Sequence, residues 1–215
     1  MFPILLNLSG RLVVVVGLGP VGTRRAEAAM RAGAKLRVVE PYPARPVSVL
    51  GPAASLVPEP YAPEHLEGAC LVFACGPSDV NARVVADCRS RGILVNSASD
   101  PESADFIVPS VVRRGDLTIA VSTGGAAPSL TRRIRQRLQA EFDETFEDWL
   151  RLLSEVRRVI RQRVVSPGRR RELLDHFGDW PWLERLRAEG VEAVRAEMLA
   201  RVGREGLGRE GRGLG

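Results

Sequence analysis

The sequence predicts an α/β protein with a Rossmann-type parallel sheet, followed by a small β-ribbon dimerisation region and a C-terminal helical region. An apolar run at residues 12–16 leads through a glycine-rich turn into a helix-forming stretch at residues 23–30, which is a strand–turn–helix unit. Short apolar runs then alternate with helical segments as far as residue 95, the pattern of parallel βαβ units. Helix-forming segments dominate after Ser129.

The turn after the first strand has the spacing of dinucleotide-binding domains. In that context the first glycine permits a tight turn, the second lets the backbone approach a pyrophosphate, and the third lets helix and strand pack closely. The helix N-terminus adds free N–H groups and a positive dipole end. The turn predicts a cofactor site, with an ordinary glycine-rich turn as the alternative. Its expected contacts are Gly17, Gly19, Pro20, Val21 and Gly22.

The second apolar run ends at Glu40, eighteen residues beyond Gly22, where the fingerprint has an acid for the ribose 2′-hydroxyl. A carboxylate there repels a 2′-phosphate, so we expect NAD rather than NADP. A glutamate at a strand end can also be merely solvated. Pro41 and the pair Cys75-Gly76, which follow strands of the same sheet, are expected to line the same site, because ligands bind beyond the carboxyl ends of parallel strands.

Composition excludes several classes of protein. Apolar residues make up 45% of the 215, no apolar stretch approaches the roughly 20 residues of a membrane span, and the N-terminal residues lack signal-peptide features. We therefore expect a cytoplasmic protein without a membrane partner. The three cysteines and two histidines show no zinc-like spacing, so no metal site is expected and the thiols should be reduced.

Charge is divided unevenly. Residues 1–110 carry ten basic and ten acidic residues, so the net charge of +5 belongs to residues 111–215. This favours an anionic partner. Clustered arginines at residues 157–171 are compatible with nucleic acid, but interleaved acids and the absence of stacking aromatics argue against it. We expect Trp149, Trp180 and Trp182 in core or interface packing, and no metal or proton role for the lone His176.

The chain divides into four predicted regions: an NAD-binding domain at 1–110, a dimerisation region at 111–145, a helical domain at 146–203 and a flexible tail at 204–215. Residues 42–61 are rich in proline and should be irregular or form short interrupted elements. Strands at 106–112 and 117–122, with a turn at 113–116, predict a hairpin. An isolated ribbon is marginal, so a second subunit is its expected partner. Helices are predicted at 80–91, 130–149, 150–165, 169–177 and 182–202.

Two segments carry further chemistry. Asn96 to Asp100 follows a strand, and Asp100 is the nearest general base, although Ser-Asp-Pro is also common turn chemistry. Ser122, Thr123, Gly124 and Gly125 precede a helix, where small residues expose N–H groups to an anion. Arg132 and Arg133 follow on that helix. Two interpretations of this segment and its arginines remain: a surface that binds carboxylates or phosphates, or a solvated helix face.

Landmarks over residues 2–140 resemble a known family, the siroheme synthase module that acts as precorrin-2 dehydrogenase and sirohydrochlorin ferrochelatase. The opening Phe2-Pro3-Ile4 matches, as do the glycine turn leading to Arg24-Arg25-Ala26, residues 74–81, Asn96, Phe106-Ile107-x-Pro109-Ser110, and Ala120 to Pro128. Beyond about residue 150 only helical character and length are similar.

The resemblance implies NAD-dependent oxidation of precorrin-2 to sirohydrochlorin, with insertion of Fe²⁺ in some members, by a homodimer. The substrate is a tetrapyrrole edged with carboxylates, for which Asn96, the Ser122–Gly125 segment, Arg132 and Arg133 are the expected contacts. Where the family has its catalytic aspartate this chain has Ser99, with Asp100 one step on, so Asp100 and Ser99 are the expected catalytic residues. Gly22 and Gly76 replace a frequent alanine and threonine. An NAD-sensing regulatory domain of the potassium-uptake type, without turnover, is the alternative.

Overall fold

The computed structural model describes residues 1–43 and 50–207. The chain forms two compact units, Met1–Val108 and Pro109–Gly215, and each is considered by itself. The finer division of the second unit at residue 145 stays a prediction.

The first unit is a five-stranded, all-parallel sheet with helices. Its strands lie in the spatial order β3-β2-β1-β4-β5, which confirms the predicted Rossmann-type class. In chain order the elements are β1 (Leu12–Val16), α1 (Pro20–Arg31), β2 (Lys35–Val39), β3 (Ala54–Val57), β4 (Leu71–Ala74), α2 (Ser78–Ser90) and β5 (Leu94–Ser97).

The central strand β1 is buried on both faces, because its neighbours β2 and β4 flank it and helices cover the sheet. Val13 and Val15 pack with α1 residues on one face, and Val14 and Val16 pack with α2 residues on the other. This strand therefore reads as a continuous apolar run in the sequence. Its carboxyl end delivers the glycine turn to the edge of the sheet.

The proline-rich segment contains a regular strand, since Ala54–Val57 forms β3 and pairs with β2. Residues 44–49 of the same segment lie outside the described residues. The helix predicted at 80–91 begins earlier, at Ser78, because Pro77 sets an extended backbone immediately before the first turn.

The second unit opens with an antiparallel ribbon, as predicted. Strands β6 (Ser110–Arg114) and β7 (Leu117–Val121) are joined by two residues rather than four. The prediction that the first strand begins at Phe106 is wrong. The Phe106 carbonyl accepts a hydrogen bond from Asn96 Nδ2 (2.8 Å) and its ring packs against Phe73 in the first unit, so this residue is held by other contacts.

Within residues 109–207, the second unit continues with five helices: α3 (Pro128–Glu141), α4 (Thr145–Arg163), α5 (Pro167–Phe177), α6 (Trp180–Glu189) and α7 (Val191–Leu207). The predicted boundary at residues 149 and 150 is wrong, because the break lies at 142–144, where Asp143 Oδ1 accepts a hydrogen bond from the Thr145 N–H. The single helix predicted at 182–202 is two helices. Gly190, with φ +85°, separates them.

The tail predicted from residue 204 is helical through Leu207; residues 208–215 lie outside the described residues. The core of the second unit forms between α4 and the last three helices, and Trp149 and Trp182 are buried in it. Two charged contacts accompany this core. Arg195 of α7 contacts Glu155 of α4, and Arg185 of α6 contacts Glu197 of α7.

Candidate functional site

The glycine turn has the geometry that a dinucleotide requires. Gly17 has φ +91°, and a Cβ there would lie 2.6 Å from the Cys75 carbonyl carbon and the Gly76 nitrogen. A Cβ on Gly22 would overlap the Gly17 carbonyl oxygen. Around Gly19, in contrast, a Cβ would meet nothing within 4 Å. The outer glycines therefore allow close packing, and the middle one leaves the backbone accessible to a ligand.

Glu40 ties two loops together at the end of β2. Its Oε2 accepts a hydrogen bond from the Leu18 N–H at 2.8 Å, and its Oε1 accepts one from the Tyr42 N–H at 3.1 Å. Each carboxylate oxygen has a further lone pair for a hydroxyl donor. The side chain is therefore placed beside the glycine turn, where the fingerprint has its ribose acid.

A cavity of about 500 Å³ lies at this edge of the sheet. It brings together six of the predicted cofactor contacts: Gly17, Gly19, Glu40, Pro41, Cys75 and Gly76. Pro20, Val21 and Gly22 are outside its lining; they form the first turn of α1. The cavity also contains residues that sequence reasoning missed, namely Tyr42, Pro60, Tyr61, Pro77, Val80 and Arg83. Pro77, Val80 and Arg83 follow one another at intervals of three residues, which is a helical spacing.

Tyr61 forms a buried wall of the cavity. It is 6% exposed, and its hydroxyl donates a hydrogen bond to Asp87 Oδ2 at 2.8 Å. Burial and the Asp87 carboxylate raise the pKa of the phenol well above its usual range. The ring is therefore neutral and fixed in orientation at physiological pH.

Asn81 links the cavity to the predicted catalytic loop. This side chain is 1% exposed; its Oδ1 accepts from the Gly76 N–H at 2.9 Å, and its Nδ2 donates to the Gly76 carbonyl at 2.9 Å and to Ser99 Oγ at 3.0 Å. The sequence predicts no role for Asn81 beyond its place in the matched segment 74–81. Its full set of partners makes it a positioning residue for Gly76 and Ser99.

Asp100 caps the loop that follows β5. Its N–H donates to Ser97 Oγ at 3.3 Å, and its Oδ1 accepts from the N–H groups of Glu102 (3.1 Å) and Ser103 (3.4 Å). Asp100 Oδ2 has no hydrogen-bond partner among residues 1–43 and 50–207. The carboxylate thus takes part in turn chemistry through one oxygen and keeps the other available.

Burial also affects two side chains near the glycine turn. The Arg25 guanidinium lies 5.8 Å from the centroid of the Phe73 ring, and desolvation lowers its pKa. Desolvation raises the pKa of the Cys75 thiol, an effect that Arg25 partly opposes. The thiol is therefore protonated at neutral pH and contributes to packing.

The loop before α3 is ordered by its own side chains. Thr123 Oγ1 accepts from the Ala127 N–H at 3.1 Å and lies 3.0 Å from Thr131 Oγ1, while Ser122 Oγ accepts from the Gly124 N–H at 3.1 Å. Gly124 and Gly125 both have positive φ. Ser122, Gly124, Gly125, Arg132 and Arg133 are exposed.

Neither Arg132 nor Arg133 has an ion pair or hydrogen bond with another side chain in the described part of the chain. Across that same part, no helix has the length and apolarity to cross a membrane. It also holds no group of three or more His, Cys, Asp or Glu side chains placed to share a metal ion.

Together the sheet order, the glycine turn, Glu40 and the cavity define a Rossmann domain that binds a nicotinamide dinucleotide. Comparison with known proteins agrees. Residues 4–110 match the family described as putative NAD(P)-binding, and residues 114–141 match the family described as sirohaem biosynthesis protein central. The chain belongs to the siroheme synthase family.

This chain is also similar to individual curated relatives and to a solved structure. The siroheme synthase of Chromobacterium violaceum is 35% identical over 213 residues, covering 98% of this chain and 45% of that protein. The siroheme synthase of Photorhabdus laumondii is 35% identical over 172 residues. The chain spans about half the length or less of these relatives. The structure of SirC, a precorrin-2 dehydrogenase, matches with a TM-score of 0.79 and 29% identity, covering 95% of this chain and 100% of that one.

Proposed function

We propose that this chain is an NAD-dependent precorrin-2 dehydrogenase that forms sirohydrochlorin in the cytoplasm. The observation that carries the proposal is the likeness to SirC, a precorrin-2 dehydrogenase, over that protein's whole length. The glycine turn and its cavity support it, because they retain the packing and the open backbone that a dinucleotide needs.

The reaction removes two electrons and two protons from the reduced macrocycle. NAD⁺ accepts a hydride, so the products are sirohydrochlorin, NADH and one proton. The protein's tasks are to bind the cofactor in one orientation, to hold the macrocycle and to take up the proton. Glu40 selects NAD, since its carboxylate repels the 2′-phosphate of NADP.

We assign Asp100 as the general base that accepts the proton from the macrocycle. Its Oδ1 is anchored by two N–H groups of the turn, so the orientation of the carboxylate is fixed while Oδ2 is available as a base. Ser99 is held by Asn81 and positions the loop rather than reacting. Asp100 lies one residue after the position at which the family usually has its aspartate.

Substrate carboxylates have cationic and N–H partners in the second unit. Arg132 and Arg133 are exposed and carry no protein counter-ion in the described residues, and in the segment Ser122 to Gly125 both glycines have positive φ. The Asn96 amide, 9% exposed, already donates to the Phe106 carbonyl, so its role as a substrate contact stays a prediction from the sequence. Charge-assisted hydrogen bonds to acetate and propionate groups follow from this chemistry.

An anaerobic assay of the purified protein with precorrin-2 and NAD tests the proposal by following NADH formation. The Asp100→Asn variant should turn over at least about a hundredfold more slowly, because general-base catalysis typically contributes 10²–10⁴-fold, with NAD affinity unchanged. Glu102→Gln, a substitution at an exposed acid of the same loop, is the matched control and should keep full turnover.

NAD binding without turnover by the unmodified protein would favour the NAD-sensing alternative and overturn the dehydrogenase assignment. Full activity of Asp100→Asn would remove this residue from the mechanism and leave the carboxylate as turn chemistry. Adding Fe²⁺ at the end of the same assay, as a substrate, measures through the tetrapyrrole spectrum whether siroheme is formed.

A further inference from the structure

We propose that Arg83 binds the adenine ring of the cofactor and is the residue that determines affinity for that half of the dinucleotide. The inference rests on the proposed use of NAD. It concerns a side chain outside the glycine turn, on the second turn of α2.

The position of the cavity points to the base rather than to another part of the cofactor. Glu40 marks the ribose, and the glycine turn marks the pyrophosphate. Beyond Glu40 the cavity is walled by Pro41, Tyr42, Pro60, Tyr61, Val80 and Arg83. These side chains are apolar or aromatic apart from a single guanidinium, which is the lining that a flat, uncharged purine prefers.

The Arg83 guanidinium contacts an aromatic ring and makes no polar contact within the described residues. Arg83 makes no hydrogen bond or ion pair with any described residue, and its Cζ lies 5.8 Å from the centroid of the Tyr61 ring. Asp87, the carboxylate one turn along on the same helix, instead accepts the Tyr61 hydroxyl at 2.8 Å. That hydrogen bond holds the aromatic wall in place and occupies one Asp87 oxygen, so Arg83 keeps a planar cation facing the cavity.

A planar guanidinium stacks face to face on an aromatic ring, whereas a lysine ammonium attracts the ring face only as a point charge. This difference separates adenine stacking from simple attraction to phosphate, which either cation provides. Arg83 is exposed, so its replacement leaves the core of the first unit intact.

The experiment measures binding by calorimetry for four ligands: NAD, AMP, nicotinamide mononucleotide and NADP. Arg83→Ala should lower the affinity for NAD and for AMP about tenfold each, which corresponds to the energy of a partly desolvated cation–π contact. Nicotinamide mononucleotide, which has no adenine, should bind the variant and the unmodified protein equally. Arg83→Lys should recover only part of the loss, because the ammonium keeps a cation–π attraction but cannot stack. The control is Arg31→Ala, which replaces an exposed arginine of α1 whose ion-pair partner in the described residues is Glu27; this variant should bind all four ligands normally.

Three results would overturn the assignment. The first is NAD affinity for Arg83→Ala equal to that of Arg31→Ala. The second is an equal loss for nicotinamide mononucleotide. The third is a loss confined to NADP that lysine restores, which would identify Arg83 as a 2′-phosphate ligand. All of these are binding measurements, so a failure of precorrin-2 turnover would contradict the proposed function and leave this inference standing.

Discussion

Single residues set the geometry of the cofactor turn, and Gly22 does so most strictly. The helix α1 approaches the turn so closely that the Gly17 carbonyl occupies the space of a Gly22 side chain. The family that this sequence resembles often has alanine here. In this chain an alanine needs a shift of the backbone, because the atom in the way is a main-chain oxygen.

We predict that Gly22→Ala lowers both NAD affinity, by at least about tenfold, and the melting temperature. The methyl group forces α1 away from the turn that holds the pyrophosphate. Gly203→Ala in α7, where a Cβ meets nothing within 4 Å, is the control. It should raise stability slightly, because alanine favours a helix interior by up to about 1 kcal/mol over glycine. Normal NAD affinity in Gly22→Ala would show that the backbone of the turn can shift to accommodate the methyl group, and would contradict this prediction.

The proposed preference for NAD over NADP also depends on a single residue, Glu40. We predict that the protein binds NAD at least about tenfold more tightly than NADP, a difference of about 1.4 kcal/mol, and that Glu40→Ala narrows this gap. Two effects combine in the variant: the repulsion of a 2′-phosphate is removed, and the Leu18 and Tyr42 N–H groups lose their acceptor.

Fluorescence titration with both cofactors measures the ratio. Glu27→Ala, an exposed acid of α1 that pairs with Arg31, should leave it unchanged. Equal affinity for NAD and NADP in the unmodified protein would contradict the role of Glu40.

Among the elements, those that the sequence predicts well have local signals. Strand β1 is predicted because an uninterrupted apolar run precedes a glycine turn, and the ribbon because two apolar runs flank Gly115. The break between α3 and α4 has no glycine or proline at residues 142–144. Asp143 lies at the break and accepts a hydrogen bond from the Thr145 N–H, and a single aspartate is a weak signal within a long helix-forming segment.

The candidate site divides in the same way. The glycine turn and Glu40 are identifiable because a local motif contains them. Tyr61 comes from the segment before β4 and Arg83 from the middle of α2, so only the folded sheet brings them to the cavity. Asn81 has three partners at Gly76 and Ser99, and a buried asparagine in a helix gives no sign in the sequence of what it holds.

The helices of the second unit are joined by ion pairs that respond to pH. The hydrogen bond from Arg195 lowers the pKa of Glu155. A carboxylate whose pKa is lower in the folded state stabilises the fold above its unfolded pKa, near 4.3. It loses that contribution as the pH falls through the lowered folded value.

We predict that Glu155→Gln lowers the melting temperature at pH 7 by about 1–3 °C, a small change because the pair is partly exposed and solvent screens it. The difference from the unmodified protein should disappear well below pH 4, where Glu155 is protonated in both states. Thermal melts across this range measure it. Glu184→Gln, an exposed acid of α6, should follow the unmodified protein at every pH; a pH-independent effect of Glu155→Gln would point to packing instead.

At the scale of the whole molecule, the ribbon leaves hydrogen-bonding edges open. Strands β6 and β7 pair only with each other in the described structure, and an unpaired ribbon is marginal alone. We therefore predict a homodimer with a symmetric interface.

Sedimentation velocity over a concentration series should give about twice the 23.4 kDa of one chain. The reason is that pairing or covering the open strand edges buries backbone groups that a lone ribbon exposes. A single species of chain mass at micromolar concentration would contradict this architecture.

The strand order of the first unit also determines when it can fold during synthesis. Strand β1 pairs with β4 through Val13↔Leu71 to Val16↔Ala74, so one side of the innermost strand is completed by residues almost sixty positions later. The core on the α2 face includes residues from Val14 to Val95. Ribosomes deliver about 5–20 residues per second. A nascent chain therefore spends several seconds with β1 exposed along one edge, and its most apolar segment is an early site at which a chaperone or a second nascent chain can pair.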